Sequence, residues 1–156
     1  MAVRTGYPAT EIAGDVLTTT NFNKLPGGLL GYATVTANQG SITTIADLTG
    51  LSVAVPVNTS RIVVIVAQIM LFSSVAGDVA SLYIREGSTK LATGQDVMWI
   101  VSTGYTITAR CVLSPSTATH TYKLSAELSS GTGVVTMSAA STNPASIMVF
   151  DGGLAF

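Results

Sequence analysis

Apolar and polar residues alternate along most of this chain, with the two-residue period of extended strands rather than the 3.6-residue period of helices. The cleanest run is 120–129. There His120, Tyr122, Leu124, Ala126 and Leu128 interleave with Thr121, Lys123, Ser125, Glu127 and Ser129. Tyr105, Ile107, Ala109, Cys111 and Leu113 alternate with Thr106, Thr108 and Arg110 in the same way. Ala80, Leu82 and Ile84 share one side of a segment whose other side carries Ser81, Tyr83 and Arg85. Leu51, Val53, Val55 and Val57 line up on one face, and Pro56 among them lacks a ladder donor, which predicts an edge strand or a strand end. Further strands are predicted over 29–38, 89–92, 97–101, 134–140 and 145–150. The stretches NQGS, VNTS, EGS, STG, SPST and SGTG separate them as turns. About nine or ten short strands with no helical segment between them predict an all-β fold: an antiparallel two-sheet β-sandwich, jelly-roll-like, or a barrel.

One segment breaks the alternation. From Ile62 to Phe72 the only polar residue is Gln68. Its length is short of the roughly 20 residues of a spanning helix, and its Ile and Val content favours a strand. A sandwich strand shows one face to the core and one outward. Ile62, Val64 and Val66 form one face here, and Val63, Ile65, Ala67, Ile69 and Leu71 form the other. Leaving either set in water forgoes roughly 1.5–3 kcal/mol per large side chain, so the outward set is expected to meet another subunit. The residues assigned to that contact are Val63, Ile65, Ile69 and Leu71, with Met148 and Phe150 from the similarly apolar 147–150. A homo-oligomer follows, with a trimer as the preferred form. The alternative is a strand buried in the middle of a closed barrel, with the N-terminal arm or a loop covering its outer face.

Residues 1–28 lack this patterning. Gly6, Pro8, Gly14, Pro26, Gly27 and Gly28 read as an extended N-terminal arm, with at most one helical turn after Thr20. Its spaced apolar residues Val16, Leu17, Phe22 and Leu25 are too many for an idle tail and too few for a core. They are expected to dock on a partner, leaving 29–156 as the β-sandwich oligomerisation domain.

Composition sharpens this picture. Charged residues are only 10% of the chain, against about 25% in ordinary domains. The net charge of −1 gives no basic field for nucleic acid and little self-repulsion between copies. No signal-peptide core opens the sequence, and no membrane partner is expected. The single cysteine, Cys111, reads as a small buried hydrophobe, and the single histidine, His120, as a structural residue without metal-ligand company. The scattered acids form no dyad spacing, no GxSxG elbow is present, and GTG at 131–133 is a turn rather than a phosphate loop. No enzymatic activity and no cofactor are expected.

Several stretches together resemble small structural proteins of tailed bacteriophages, of the decoration, head-fibre or minor tail type. They are AGDVLTTTNFNKLPGG, GYATVTANQGSITTIADLTGLSVAV, the long apolar strand, LSPSTATHTYKLSAEL and ASIMVFDGG. STATHTYKLSAEL is also similar to a late strand of trimeric jelly rolls of the tumour-necrosis-factor/C1q type. The resemblance implies a trimeric jelly roll held on a virion by its arm, assembled in the host cytoplasm, with the major capsid protein or another virion protein as partner. Its leading role would be capsid decoration or cement. The alternative is a tail-fibre or tail-tip module that recognises host-surface carbohydrate through exposed Tyr83, Trp99 or Tyr105.

Overall fold

A segment whose side chains alternate can satisfy its backbone only by pairing with neighbours, and the chain does this throughout the residues that the computed structural model describes, 28–58 and 60–154. They form strands β1 (Gly28–Val35), β2 (Gln39–Ile42), β3 (Ala46–Val57), β4 (Arg61–Ser73), β5 (Asp78–Glu86), β6 (Thr89–Met98), β7 (Tyr105–Leu113), β8 (Ala118–Ser130), β9 (Val135–Ser138) and β10 (Ala145–Leu154). Among the described residues there is no helix. The first sheet runs β1-β10-β4-β9-β2, with β7 on the other edge of β4, and the second runs β3-β8-β5-β6. All pairings are antiparallel. Setting aside the short β2 and β9, the orders β1-β10-β4-β7 and β3-β8-β5-β6 are those of a jelly roll, as the alternation predicts.

The core lies between the sheets. Val63, Ile65, Ala67, Ile69 and Leu71 of β4, with Ile147 and Val149 of β10, face Leu51, Val53 and Val55 of β3 and the inward sides of β5 and β8. Tyr122, Leu124 and Ala126 fill the middle from β8. At one side β6 crosses close over β7. A Cβ on Gly94 would lie 2.2 Å from the Thr108 carbonyl oxygen, so only glycine permits that approach.

Three expectations change. The predicted strand 97–101 does not exist: β6 runs unbroken from Thr89 to Met98, and the chain turns immediately after it. The apolar run there reflects an exposed turn, which alternation cannot distinguish from a buried strand. Gln39 to Ser41, predicted to turn, instead join Ile42 in β2, which pairs with β9. Most consequentially, Val63, Ile65, Ile69 and Leu71, expected at a subunit contact, are 0–1% exposed within the single chain. They line its own core, because the register with β10 and β7 points the odd-numbered residues of β4 toward the second sheet. The outward set is Ile62, Val64, Val66, Met70 and Phe72. The arm residues Val16, Leu17, Phe22 and Leu25 lie outside the described residues, as does the helical turn at Thr20.

Candidate functional site

The register of the first sheet gathers its outward side chains into rows. Leu29 of β1 pairs with Phe150 of β10, Phe150 with Val64 of β4, and Val64 with Val112 of β7. Along the strands, the next outward row is Tyr32, Met148, Val66 and Arg110. A third row, Thr34, Ser146, Gln68 and Thr108, is polar. Leu29, Tyr32 and Val112 are exposed, while Val64, Val66, Met148 and Phe150 are partly covered by one another. Met148 and Phe150 therefore stand on the outward face assigned to them by sequence. Ile62 extends the patch, its side chain and that of Val64 lying over Gly152, where a Cβ would come within 2.9 Å of Ile62. Such an aggregate of apolar side chains, with Arg110 as its only charged member in these rows, is an interaction surface by composition.

The outward face of the second sheet is its opposite. Arg85 of β5 donates to Asp47 of β3 at 3.1 Å, and Lys123 of β8 donates to the other carboxylate oxygen at 2.5 Å. Ser125 donates to Asp47 at 2.6 Å. The Lys123 and Ser125 hydrogen bonds hold the Asp47 carboxyl below the usual carboxylate range. Tyr83 donates to Glu127 at 2.8 Å, and the Lys90 ammonium lies over the Tyr83 ring, 3.7 Å from its centroid. This face is polar and internally hydrogen-bonded, with Ser81, Ser125 and Tyr83 on it buried.

The open ends of the sandwich carry further polar pairs, among them the buried Arg61 and Asp78. At one end Arg61, at the start of β4, holds Asp151 of β10 through both carboxylate oxygens, with Nε donating at 3.0 Å. At the same end His120 Nδ1 lies 2.7 Å from Glu86 Oε1, and Nε2 lies 2.9 Å from the Ser116 carbonyl oxygen. Both partners are acceptors, so only the imidazolium donates both bonds. The Ser116 carbonyl first, and Glu86 second, raise the His120 pKa above its ordinary value. The sequence placed His120 beside threonine hydroxyls. Its actual partner Glu86 comes from a neighbouring strand and was not legible from local spacing. The pair ends on a backbone carbonyl, not on a hydroxyl, so no nucleophile follows it. At the opposite end Asp78, 1% exposed, accepts hydrogen bonds from the Thr132 and Gly133 amides and from the Ser73 hydroxyl. It thereby fixes the turn between β8 and β9.

The remaining candidates separate cleanly. Cys111 is half-buried, and burial raises its pKa, which keeps it a thiol. The core phenol of Tyr122 is pushed up to about 12, chiefly by burial. Among the described residues no group of three His, Cys, Asp or Glu side chains could hold a metal ion. Of the aromatics named for carbohydrate binding, Tyr83 is buried, Tyr105 accepts a hydrogen bond from the Ile100 amide through its hydroxyl, and Trp99 is exposed.

No protein-family model matches this chain, and no curated protein is significantly similar to it. Solved structures of similar shape include Eiger TNF from S. frugiperda, at 10% identity and a TM-score of 0.43, covering 80% of this chain and 96% of that one. They also include infectious bursal disease virus, Gx strain, at 14% identity and 0.42, covering 80% of this chain and 38% of the viral one. The T13 particle of the same virus gives 13% identity and 0.44, with 83% and 36% covered. This chain is thus similar in extent to the whole of the first and to little more than a third of the viral chains. These likenesses are of outline only; the strand order and register establish the fold as an antiparallel jelly-roll sandwich.

Proposed function

We propose that this chain is a virion structural protein that associates with copies of itself through the outward face of its first sheet, as a trimer, and serves as a capsid decoration or cement protein. The observation that carries the reading is the patch formed by Leu29, Tyr32, Val64, Val66, Val112, Met148 and Phe150 on a sandwich whose core is already filled without it. A single chain gains nothing by holding these residues outward, whereas copies that bury them against one another gain about 25 cal/mol for each Å² of apolar surface removed from water. The sparse charge of the chain opposes such contact only weakly. The resemblance of the sequence to phage decoration and minor tail proteins supplies the virion setting. A protein in that role acts mechanically, by adding contacts across subunit boundaries.

Sedimentation at micromolar concentration tests the association: an oligomer is expected, and a stable monomer overturns it. Val64→Lys with Val66→Lys should leave a folded monomer, since both side chains point away from the core. Imaging of assembled particles tests the setting. Hundreds of copies over the head are expected, and a handful at the tail would favour the tail-tip reading. The surroundings of Trp99 give the carbohydrate form of that alternative little support, because the residues next to it in the chain are Met98, Ile100 and Val101, none with a hydrogen-bonding side chain.

A further inference from the structure

The turn between β6 and β7 projects three consecutive large apolar side chains, Trp99, Ile100 and Val101, which are 70%, 60% and 51% exposed. It stands at the end of the sandwich, off the apolar sheet face. Beside it is the turn between β4 and β5 with exposed Val75, tied to it by the Ser102 amide on the Ser73 carbonyl and the Gly77 amide on the Met98 carbonyl. The turn between β8 and β9 completes this end through the Ser74 amide on the Val134 carbonyl. Residues 74–77, 99–104 and 131–134 include no charged side chain; they are Gly, Ala, Ser, Thr, Val, Ile and Trp.

The backbone of the tip matters as much as its side chains. The Trp99 amide donates to the Val97 carbonyl, the Ile100 amide to the Tyr105 hydroxyl, the Ser102 amide to the Ser73 carbonyl and the Thr103 amide to the Ile100 carbonyl. An exposed turn ordinarily leaves such amides to water, and moving them into an apolar medium would then strip those bonds at high cost. The amides of Trp99, Ile100, Ser102 and Thr103 are already bonded within the protein, which lowers the cost of taking the tip out of water. A protruding, uncharged, tryptophan-bearing tip with four of its amides bonded internally matches the headgroup boundary of a bilayer, where an indole has an apolar body to bury and an N–H to keep wet. A glycan site ordinarily sets amide or charged side chains beside its aromatic, and this end offers only the hydroxyls of Ser74, Ser102, Thr103 and Thr132. An anionic surface would require cations, and it has none.

We propose that the Trp99–Val101 tip is a lipid-contacting element that inserts peripherally into neutral bilayer surfaces. This goes beyond the sequence-based expectation of no membrane partner, and it needs no spanning segment; among the described residues no helix is long and apolar enough to cross a membrane.

Trp99 is the only tryptophan in the chain, so its fluorescence reports on the tip alone. The full chain is mixed with vesicles of phosphatidylcholine, alone and with phosphatidylglycerol, and followed by flotation and by Trp99 emission. The expected result is co-flotation with neutral vesicles, a blue shift, quenching by lipids brominated near the headgroup, and little change on adding salt. Ile100→Ser with Val101→Ser should weaken partition by roughly tenfold or more while melting stays unchanged, because the tip lies outside the core. The proposal is overturned if Trp99 emission is unmoved by vesicles, or if binding needs anionic lipid and vanishes in salt. It is equally overturned if the double variant floats as well as the parent, which would assign the contact to the sheet face. A blue shift produced by soluble glycans but not by vesicles, or a fall in sedimenting mass caused by the double variant, would reassign the tip to carbohydrate or to a subunit contact.

Discussion

The two outward faces of this sandwich come from strands of similar length in one chain, yet they are built on different terms. On the second sheet Asp47, Arg85, Lys123 and Ser125 close a hydrogen-bonded cluster, and Lys90 covers Tyr83. On the first sheet Val64, Val66, Met148 and Phe150 occupy equivalent outward positions with no polar group among them. Sheet geometry requires only one apolar face per strand. The second sheet meets that minimum and the first exceeds it. What folding does not require must be accounted for by something outside the fold, and the difference between the faces therefore locates the interaction surface better than either face alone.

The comparison is broken most severely by mistaking inward for outward on β4. Ile65→Lys puts a charge where the side chain is 0% exposed, and it should abolish folding, seen as loss of the cooperative melting transition. The same change one residue earlier, Val64→Lys, should keep the fold. Next in size is Gly94→Ala. Its methyl meets the Thr108 carbonyl and the Ile107 side chain where the sheets approach, and the overpacking should cost at least about 1–3 kcal/mol in denaturant melts.

His120→Ala should cost about 0.5–1.5 kcal/mol, and the cost should depend on pH. The folded-state pKa of His120 is raised, so its contribution is fully present below the unfolded value near 6.5 and is lost as pH rises through the folded value. Parent and variant should therefore converge in stability on the alkaline side, as measured by melting across pH 5–9. The smallest effect belongs to the charged face. Lys123→Met breaks an exposed pair worth at most about 1 kcal/mol. Because the Asp47 pKa is lowered, that contribution is present above its unfolded value near 3.8 and fades as pH falls through the folded value. The variant should match the parent in strong acid. A loss on the charged face as large as that of Ile65→Lys would erase the contrast between sheet and surface.

Much of the architecture was legible because a period of two is written directly in the residues. β7 matches the predicted 105–113, β8 the alternation from His120, and Pro56 marks a true edge strand, since β3 ends the second sheet. Where alternation failed, it failed for physical reasons. β4 is apolar on both sides, so its pattern carries no sign, and only the pairing of Ile65 with Val149 and Cys111 fixes which face is inward. Residues 97–101 read as a strand because Trp99, Ile100 and Val101 are apolar, although they form an exposed turn. Two members of the patch, Met148 and Phe150, were visible in sequence. Leu29, Tyr32 and Val112 were not, because they join it only through the register of β1 on β10 and of β7 on β4.

The order of the first sheet has a consequence for how the molecule is made. β10 lies between β1 and β4, so among the described residues β1 has no neighbour in that sheet until residues 145–151 are available. As the chain is synthesised, the first strand must wait for the last, with the apolar side chains of β4 flanked on one side only. Closing so long a loop makes folding slow, and completion of the first sheet must follow release of the β10 segment. Until then the nascent chain carries an open sheet edge next to its oiliest strand, and its hazard is pairing with the same edge of a neighbouring nascent chain.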